Sequence, residues 1–335
     1  MKKYWLIILI FLVLLSGVLS YFYMDMRMYS ESPASNDRTK KIVTIHKGQR
    51  FNTTAERLYE ADIITNSFKL VVLARVKGYD KKIKAGEYLL SSSMSPNEIL
   101  DRLVSGKVQV YKVVVPEGYD MYQIASIVSK EGLGSEKKFL EAAKDPSFVK
   151  EKKINAETFE GYLFPDTYFF PKGVTPKKII SSMADQFRTV FTPEWEKQAG
   201  TLGFSVHEIV TLASVIEKET GAAFERPLIS SVFHNRLKKN MRLDSDPTVI
   251  YGIKDFDGNI TKTHLKTKTP YNTYKMKGLP LGPIANPGAD ALKAALYPAV
   301  TRFLYFVSKN DKTHKFSTNL KDHNRAVRKY QRRRK

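Results

Sequence analysis

S-V-H-E-I-V-T-L-A-S-V-I-E-K-E-T-G, residues 205 to 221, reads as one helix with its own start signal. Ser205 and Glu208 form an S-x-x-E capping box, in which each side chain accepts the other's backbone N–H. Gly221 suits the stop. At about 100° per residue, Val206, Val210, Ala213 and Glu217 fall on one line. Glu217 therefore leaves the edge of the apolar arc, where desolvation raises a carboxyl's affinity for its proton. Glu219 lies about 200° further round and flanks the arc from the other side, so the two cannot act as a pair on one face. Both also suit ordinary salt bridges with Lys218, Arg226 or Arg236. Helix geometry alone does not choose between them.

Three loops follow: D-S-D-P-T-V-I-Y-G (Asp244 to Gly252), Y-N-T-Y (Tyr271 to Tyr274) and G-L-P-L-G-P-I-A-N-P-G (Gly278 to Gly288). Asp246 reads as an N-cap with Pro247 at the first helical position. Tyr251, Tyr271 and Tyr274 carry rings that can stack on sugar faces. Asn235, Asn272, Thr273 and Asn286 carry groups that can hydrogen-bond acetamido substituents. Glu160, Asp246 and Thr248 complete the candidate binding set. Singly, each such residue is more often structural. Gathered after an acidic helix, they read as a cleft for a sugar polymer.

Outward from this centre, the fold class is α+β. Residues 151–335 read as a mixed α/β catalytic domain opening on E-G-Y-L-F-P-D-T-Y (Glu160 to Tyr168). Helices are expected over Pro176 to Val190, Pro193 to Ala199 and Pro227 to Lys238. A hairpin is expected from Phe303–Ser308 and His314–Ser317, flanking Lys309-Asn310-Asp311. A basic helix starts near Asn319. Residues 42–150 read as a duplicated strand, glycine turn and helix. Val43–Gly48 matches Val113–Gly118, Ala55 matches Ala125, and Phe68 nearly matches Phe139. Between the copies lie a short strand, Lys84 to Ser91, and a helix from Ser95 to Leu103. That helix has Ser95 as N-cap, Pro96 first and Glu98 closing a capping box. The strand and helix resemble LysM-like subdomains that bind N-acetylglucosamine polymers; a plain spacer domain is the alternative.

Residues 25–41 are a polar linker. Tyr4 to Met24 carry no charge, and 21 residues at about 1.5 Å each span a hydrocarbon core of about 30 Å. Lys2 and Lys3 favour a cytoplasmic N-terminus, residues 1–3, with the rest of the chain outside a cell membrane as a single-pass protein. A cleaved signal peptide, with Val18 and Ser20 before the cut, is the alternative. The chain holds 55 Lys plus Arg against 34 Asp plus Glu, a net +21. That surplus attracts polyanions, and much of it lies in Arg325, Arg328, Lys329, Arg332, Arg333, Arg334 and Lys335. A tail outside the membrane argues against nucleic acid and leaves anionic lipid or an acidic wall polymer as the partner; a plain solvated helix face and tail is the alternative. There is no cysteine, which excludes thiolate catalysis, Cys-ligated zinc, disulfides and lipobox attachment. His46, His207, His234, His264, His314 and His323 show no H-E-x-x-H spacing, so neither metal nor cofactor is expected.

A-S-V-I-E-K-E-T, V-F-H-N-R-L (Val232 to Leu237), D-P-T-V-I-Y-G, Y-N-T-Y, G-L-P-L-G-P-I-A-N-P-G, L-Y-F-V and E-G-Y-L-F-P-D-T-Y resemble the membrane-anchored endolytic murein transglycosylases, the YceG-like family. The resemblance runs from the apolar N-terminus to about Asn324. Leu281 stands where that family usually has a second proline in G-L-P-P-G. The family's catalytic glutamate falls on Glu217. The resemblance implies a lyase that cuts peptidoglycan glycan strands between N-acetylmuramic acid and N-acetylglucosamine and leaves 1,6-anhydro ends. It also implies membrane-bound wall synthases or division proteins as partners. A hydrolytic muramidase is one alternative; it needs a second carboxylate, from among Glu160, Asp166, Asp244 and Asp246. A non-catalytic wall-binding scaffold is another.

Overall fold

A computed structural model describes residues 2–219, 222–253 and 256–331. The expected stop at Gly221 and the tail cations Arg332, Arg333, Arg334 and Lys335 lie outside the described residues. The elements run in order α1 (Lys2–Glu31), β1 (Lys41–Ile45), α2 (Phe51–Glu60), α3 (Ser67–Val76), β2 (Gly86–Leu90), α4 (Pro96–Ser105), β3 (Val110–Val114), α5 (Met121–Lys130), α6 (Glu136–Ala143), α7 (Pro146–Glu151), β4 (Thr167–Pro171), α8 (Pro176–Val190), α9 (Pro193–Thr201), α10 (Val206–Glu219), α11 (Arg226–Lys238), α12 (Asp246–Tyr251), α13 (Lys262–Lys266), α14 (Ala289–Leu296), β5 (Tyr305–Ser308), β6 (His314–Ser317) and α15 (Leu320–Tyr330). Helices dominate, and each sheet has two strands. The class is α+β.

Residues up to Tyr111, with Pro171–Gly173, form one compact unit; Lys112–Phe170 and Val174 onward form a second. The division falls earlier than the expected boundary at residue 150. In the first unit, β1 pairs antiparallel with β2 from Lys41↔Leu90 to Ile45↔Gly86. Alternation along the strands turns Val43, Ile45, Tyr88 and Leu90 inward. There they meet Ala55 and Leu58 of α2, Leu70 and Ala74 of α3, and Ile99, Leu100 and Leu103 of α4. The α4 start is as expected, with Ser95 and Glu98 accepting each other's N–H. α1 is long and apolar enough to cross a membrane. Its last turns bury Tyr29 in this core, where the hydroxyl donates to the Asn66 carbonyl at 2.7 Å.

The two strand–glycine–helix units are both present. Gly48 and Gly118 take left-handed backbones, φ 79° and 75°, and Ala55 and Ala125 are fully buried. They do not form one domain. The second copy belongs to the second unit, and Phe68 is 71% exposed whereas its expected counterpart Phe139 is buried.

The second unit is built round α10. Ser205 and Glu208 form the expected capping box. Ile209 to Ile216 are buried without interruption, so the helix is enclosed on every side for two turns rather than along one arc. Its two hydroxyl residues tolerate this because they bond back along the helix: Thr211 to the His207 carbonyl and Ser214 to the Thr211 carbonyl. Phe187, Phe191, Ile229, Phe233, Ile284 and Leu292 are among the residues that enclose it. The C-terminal hairpin pairs Tyr305↔Ser317 to Ser308↔His314 as expected, and Asn319 caps the final helix.

Candidate active site

The last turn of α10 ends at a carboxylate held from two sides. Glu217 Oε1 lies 2.9 Å from Arg226 Nη2, and Glu217 Oε2 accepts the Gly288 N–H at 3.0 Å. Its side chain is 6% exposed. The lone carboxyl expected on an apolar edge is therefore an ion pair. Burial is present, and a guanidinium compensates it. Arg226, in the first turn of α11, is shared more widely. Its Nη2 lies 3.5 Å from Glu117 Oε2 and its Nη1 3.5 Å from Asp290 Oδ2. Three carboxylates thus surround one cation. Among the described residues, Arg226 Nε is buried without a partner.

Two segments bring these groups together. Leu281 to Gly288 runs beside α10, with the Ile284 N–H on Ser214 Oγ at 3.0 Å and the Gly288 N–H on Glu217. The turn carrying Glu117 is tied to the same segment by the Gly118 N–H to the Asn286 carbonyl, 3.0 Å. Lys218 Nζ donates to the Gly118 carbonyl at 3.2 Å. Gly288 has an ordinary backbone, φ −75°. Its lack of a side chain matters because a Cβ there would collide with the Glu117 carboxyl. Glu117 is half-exposed, and its carboxyl is raised above the usual range by desolvation first and by Glu217 second, with Arg226 opposing.

The other expected site residues are dispersed. Glu160 is buried and gathers three donors: the Met121 N–H, Asn286 Nδ2 at 2.9 Å and the Tyr251 hydroxyl at 3.0 Å. Burial pushes it up to about 8, the donors pulling the other way. Asn286 also accepts the Leu163 N–H and donates to the Tyr119 carbonyl. Glu160 and Asn286 therefore tie four stretches together: Tyr119–Met121, Glu160–Leu163, Tyr251 and the segment before Gly288. Asn272 donates to the carbonyls of His264, Leu265 and Thr267. Thr248 and Thr273 share a 2.8 Å hydroxyl contact, both fully buried. Asn235 spans to the carbonyls of Thr301 and Phe303. The polar capacity of these residues is spent on loop architecture, so as placed they offer little to a sugar. Buried polar groups need such partners, and these loops are long.

Asp246 is the first residue of α12, and Ser245 is its N-cap, one position earlier than expected. Asp246 accepts from the Tyr274 hydroxyl at 2.7 Å. Glu219 turns away from Glu217 and accepts from the Ser245 hydroxyl. Burial pushes it up to about 7. Tyr251 and Tyr271 pack edge to face, centroids 4.8 Å apart. Tyr271 and Glu160 line a cavity of about 380 Å³ with His207, Leu281, Gly282 and Pro283. His207 sits at the start of α10, ten residues and about 15 Å from Glu217. Of the hydrolytic candidates, Asp166 accepts from Gln186 and Asp244 pairs with Arg236 and Arg242. The carboxylates grouped with Glu217 are instead Glu117 and Asp290. Neither is legible in the sequence, because Glu117 lies 100 residues before Glu217 and Asp290 73 after it, and neither carries a local signal of where it packs. Among the described residues no group of His, Asp and Glu is arranged to hold a metal.

The YceG-like family model matches residues 43–329. The endolytic murein transglycosylase of Bacillus subtilis (strain 168) is 33% identical over 316 residues, covering 90% of this chain and 87% of that one. That of Streptococcus pneumoniae serotype 2 (strain D39 / NCTC 7466) is 29% identical over 362 residues, 97% of this chain; the match spans 65% of the streptococcal protein. A crystal structure of a YceG-like protein from Listeria monocytogenes, at 33% identity, aligns with a TM-score of 0.60 over 86% of this chain and 99% of that one. A buried carboxylate on a core helix, enclosed by the loops this family model spans, completes the assignment: the chain belongs to the YceG-like family.

Proposed function

We propose that this protein is an endolytic lytic transglycosylase of peptidoglycan. The observation that carries the reading is Glu217, held by Arg226 and the Gly288 N–H at the end of a buried helix in a chain related to endolytic murein transglycosylases. Protonated Glu217 gives its proton to the oxygen between N-acetylmuramic acid and N-acetylglucosamine, and the C1–O bond breaks. The muramyl C6 hydroxyl then attacks C1 and returns its proton to Glu217. A 1,6-anhydro ring closes, no water is consumed, and the enzyme ends as it began. Glu117 and Asp290 give Arg226 other partners while Glu217 carries the proton. Because the nucleophile belongs to the substrate, no second carboxylate is needed.

In this reading α1 is a single-pass anchor with the N-terminus in the cytoplasm and both compact units outside. The first unit is a LysM-like glycan-binding module; its two-stranded sheet covered by short helices supports this. Nascent strands are the substrate, and membrane-bound wall synthases or division proteins are the partners. Strand elongation ends where the enzyme cuts.

A hydrolytic reading retains one observation in its favour. Glu117 shares an Arg226 nitrogen with Glu217 and could supply the second carboxylate. Mass spectrometry of products from the full chain and un-crosslinked glycan strands decides. Fragments ending in 1,6-anhydromuramic acid, one water lighter than reducing ends, are expected. Reducing ends would transfer the reaction to water and give Glu117 a direct role. Binding without fragments would leave a scaffold.

A further inference from the structure

The end of α3 and the loop after it lie where α1 leaves its apolar run. Contacts fix the direction. Tyr29 of α1 bonds the Asn66 carbonyl, and Asp25 pairs with Lys69 at 2.7 Å. Phe22, Tyr23 and Met26 then line one apolar recess with Val72, Leu73 and Val76. Moving back along α1 from residue 29 to residue 22 therefore moves forward along α3 from 66 to 76. The helices are antiparallel, and the last turn of α3 points toward the apolar run. At about 1.5 Å per residue, Asn66 to Val76 covers about 15 Å, whereas Tyr29 to Met24 covers about 7.5 Å. The tip of α3 thus reaches the level of Phe22 and Tyr23.

Chemistry at that tip matches its position. Val76 is 81% exposed, beside exposed Phe22 and Tyr23. The sequence from 75 to 84, R-V-K-G-Y-D-K-K-I-K, places five cations against Asp80 alone. Among the described residues, none of Arg75, Lys77, Lys81 and Lys82 pairs with a carboxylate. Lysine stems lie along apolar surface while their ammonium groups reach phosphate. A water-facing loop has no need of an exposed valine between unpaired cations, but a loop at a bilayer surface does.

We propose that the last turn of α3 and the loop after it insert into the headgroup layer of an anionic membrane, Val72 and Val76 among the acyl ends and Lys77, Lys81 and Lys82 on lipid phosphates. This rests on the reading of α1 as a membrane anchor. The first unit would then be fixed against the bilayer at two points, the helix and the loop, rather than tethered by one.

The chain has no cysteine, so a single introduced thiol takes a single spin label. The full chain is placed in nanodiscs of phosphatidylcholine, with or without phosphatidylglycerol. Labels go at Leu12→Cys in the apolar run, Val76→Cys at the tip and Phe68→Cys at the other, exposed end of α3. Collision with oxygen and with a water-soluble nickel chelate reports depth. The expected result is a lipid-like signal at Leu12, a water-like signal at Phe68, and nickel collisions at Val76 several-fold below those at Phe68. Depth at Val76 increases with phosphatidylglycerol and is lost in Lys77→Glu/Lys81→Glu/Lys82→Glu. A Val76 label as wet as Phe68, with Leu12 in lipid, overturns the proposal and leaves the anchor standing. A wet Leu12 label overturns the anchor itself. Equal depth in both lipid mixtures removes the role of the lysines and overturns the proposal, as does spin–spin broadening at Val76, which would place a second copy there.

Discussion

A buried carboxylate is costly unless a cation or several donors meet it, and at Glu217 both are present. Glu217→Gln keeps the volume and leaves Arg226 between Glu117 and Asp290. It is expected to abolish anhydro-product formation with little change in thermal denaturation; retained turnover would end the assignment. Arg226→Met strips the compensating cation from a side chain only 6% exposed. It should cost about 3 kcal/mol in denaturant unfolding, in addition to the loss of activity. At Gly288 the demand is steric. Gly288→Ala pushes the Glu117 carboxyl and shifts the N–H that holds Glu217 Oε2. A roughly 10- to 100-fold lower kcat at near-normal stability is expected, and unchanged kcat would show that this N–H does not position the acid.

At the scale of elements, local chemistry predicts starts better than surroundings. The boxes at Ser205 and Ser95 and the prolines at 96, 176 and 193 stand where the elements begin. Ser205→Ala removes a side-chain acceptor from the first turn of α10 and should cost about 1 kcal/mol by thermal denaturation. Because the opposite end of the helix holds Glu217, activity below the new melting point should persist. What periodicity misjudges in α10 is its enclosure. Thr211 and Ser214 are polar, and their burial is tolerated because each finds a carbonyl within its own helix. At α12 the error is one residue. Ser245 holds the N-cap position without a side-chain cap bond, its hydroxyl donating to Glu219 instead, and Asp246 becomes the first helical residue.

For the whole molecule, buried acids make stability depend on pH. Burial pushes Glu219 up to about 7 and Glu160 up to about 8, from 4.5. Each binds its proton more tightly folded than unfolded. Its stabilising contribution is therefore complete below about pH 4.5 and declines as pH rises through 7 to 8. Glu219→Gln retains an acceptor for Ser245 and removes one titration. Denaturant midpoints at pH 5 and pH 8 should show a smaller loss in the variant than in the parent; equal losses would refute the linkage.

The chain by itself determined the features that are local in sequence. These are an apolar run long enough to span a bilayer, the capped helix carrying Glu217, the closing hairpin and the motifs that mark the family. Each rests on spacing or on a side chain bonding its own neighbours. Which polar residues bond to the protein's own loops was decided only by the tertiary structure. Asn272, Thr273, Thr248 and Asn286 carry groups that bond a sugar or a loop equally well, and only the fold shows them buried on loop partners. The same holds for the company Glu217 keeps. Arg226, Glu117 and the Gly288–Asp290 turn come from three separate segments, and packing around a buried helix is what makes them neighbours.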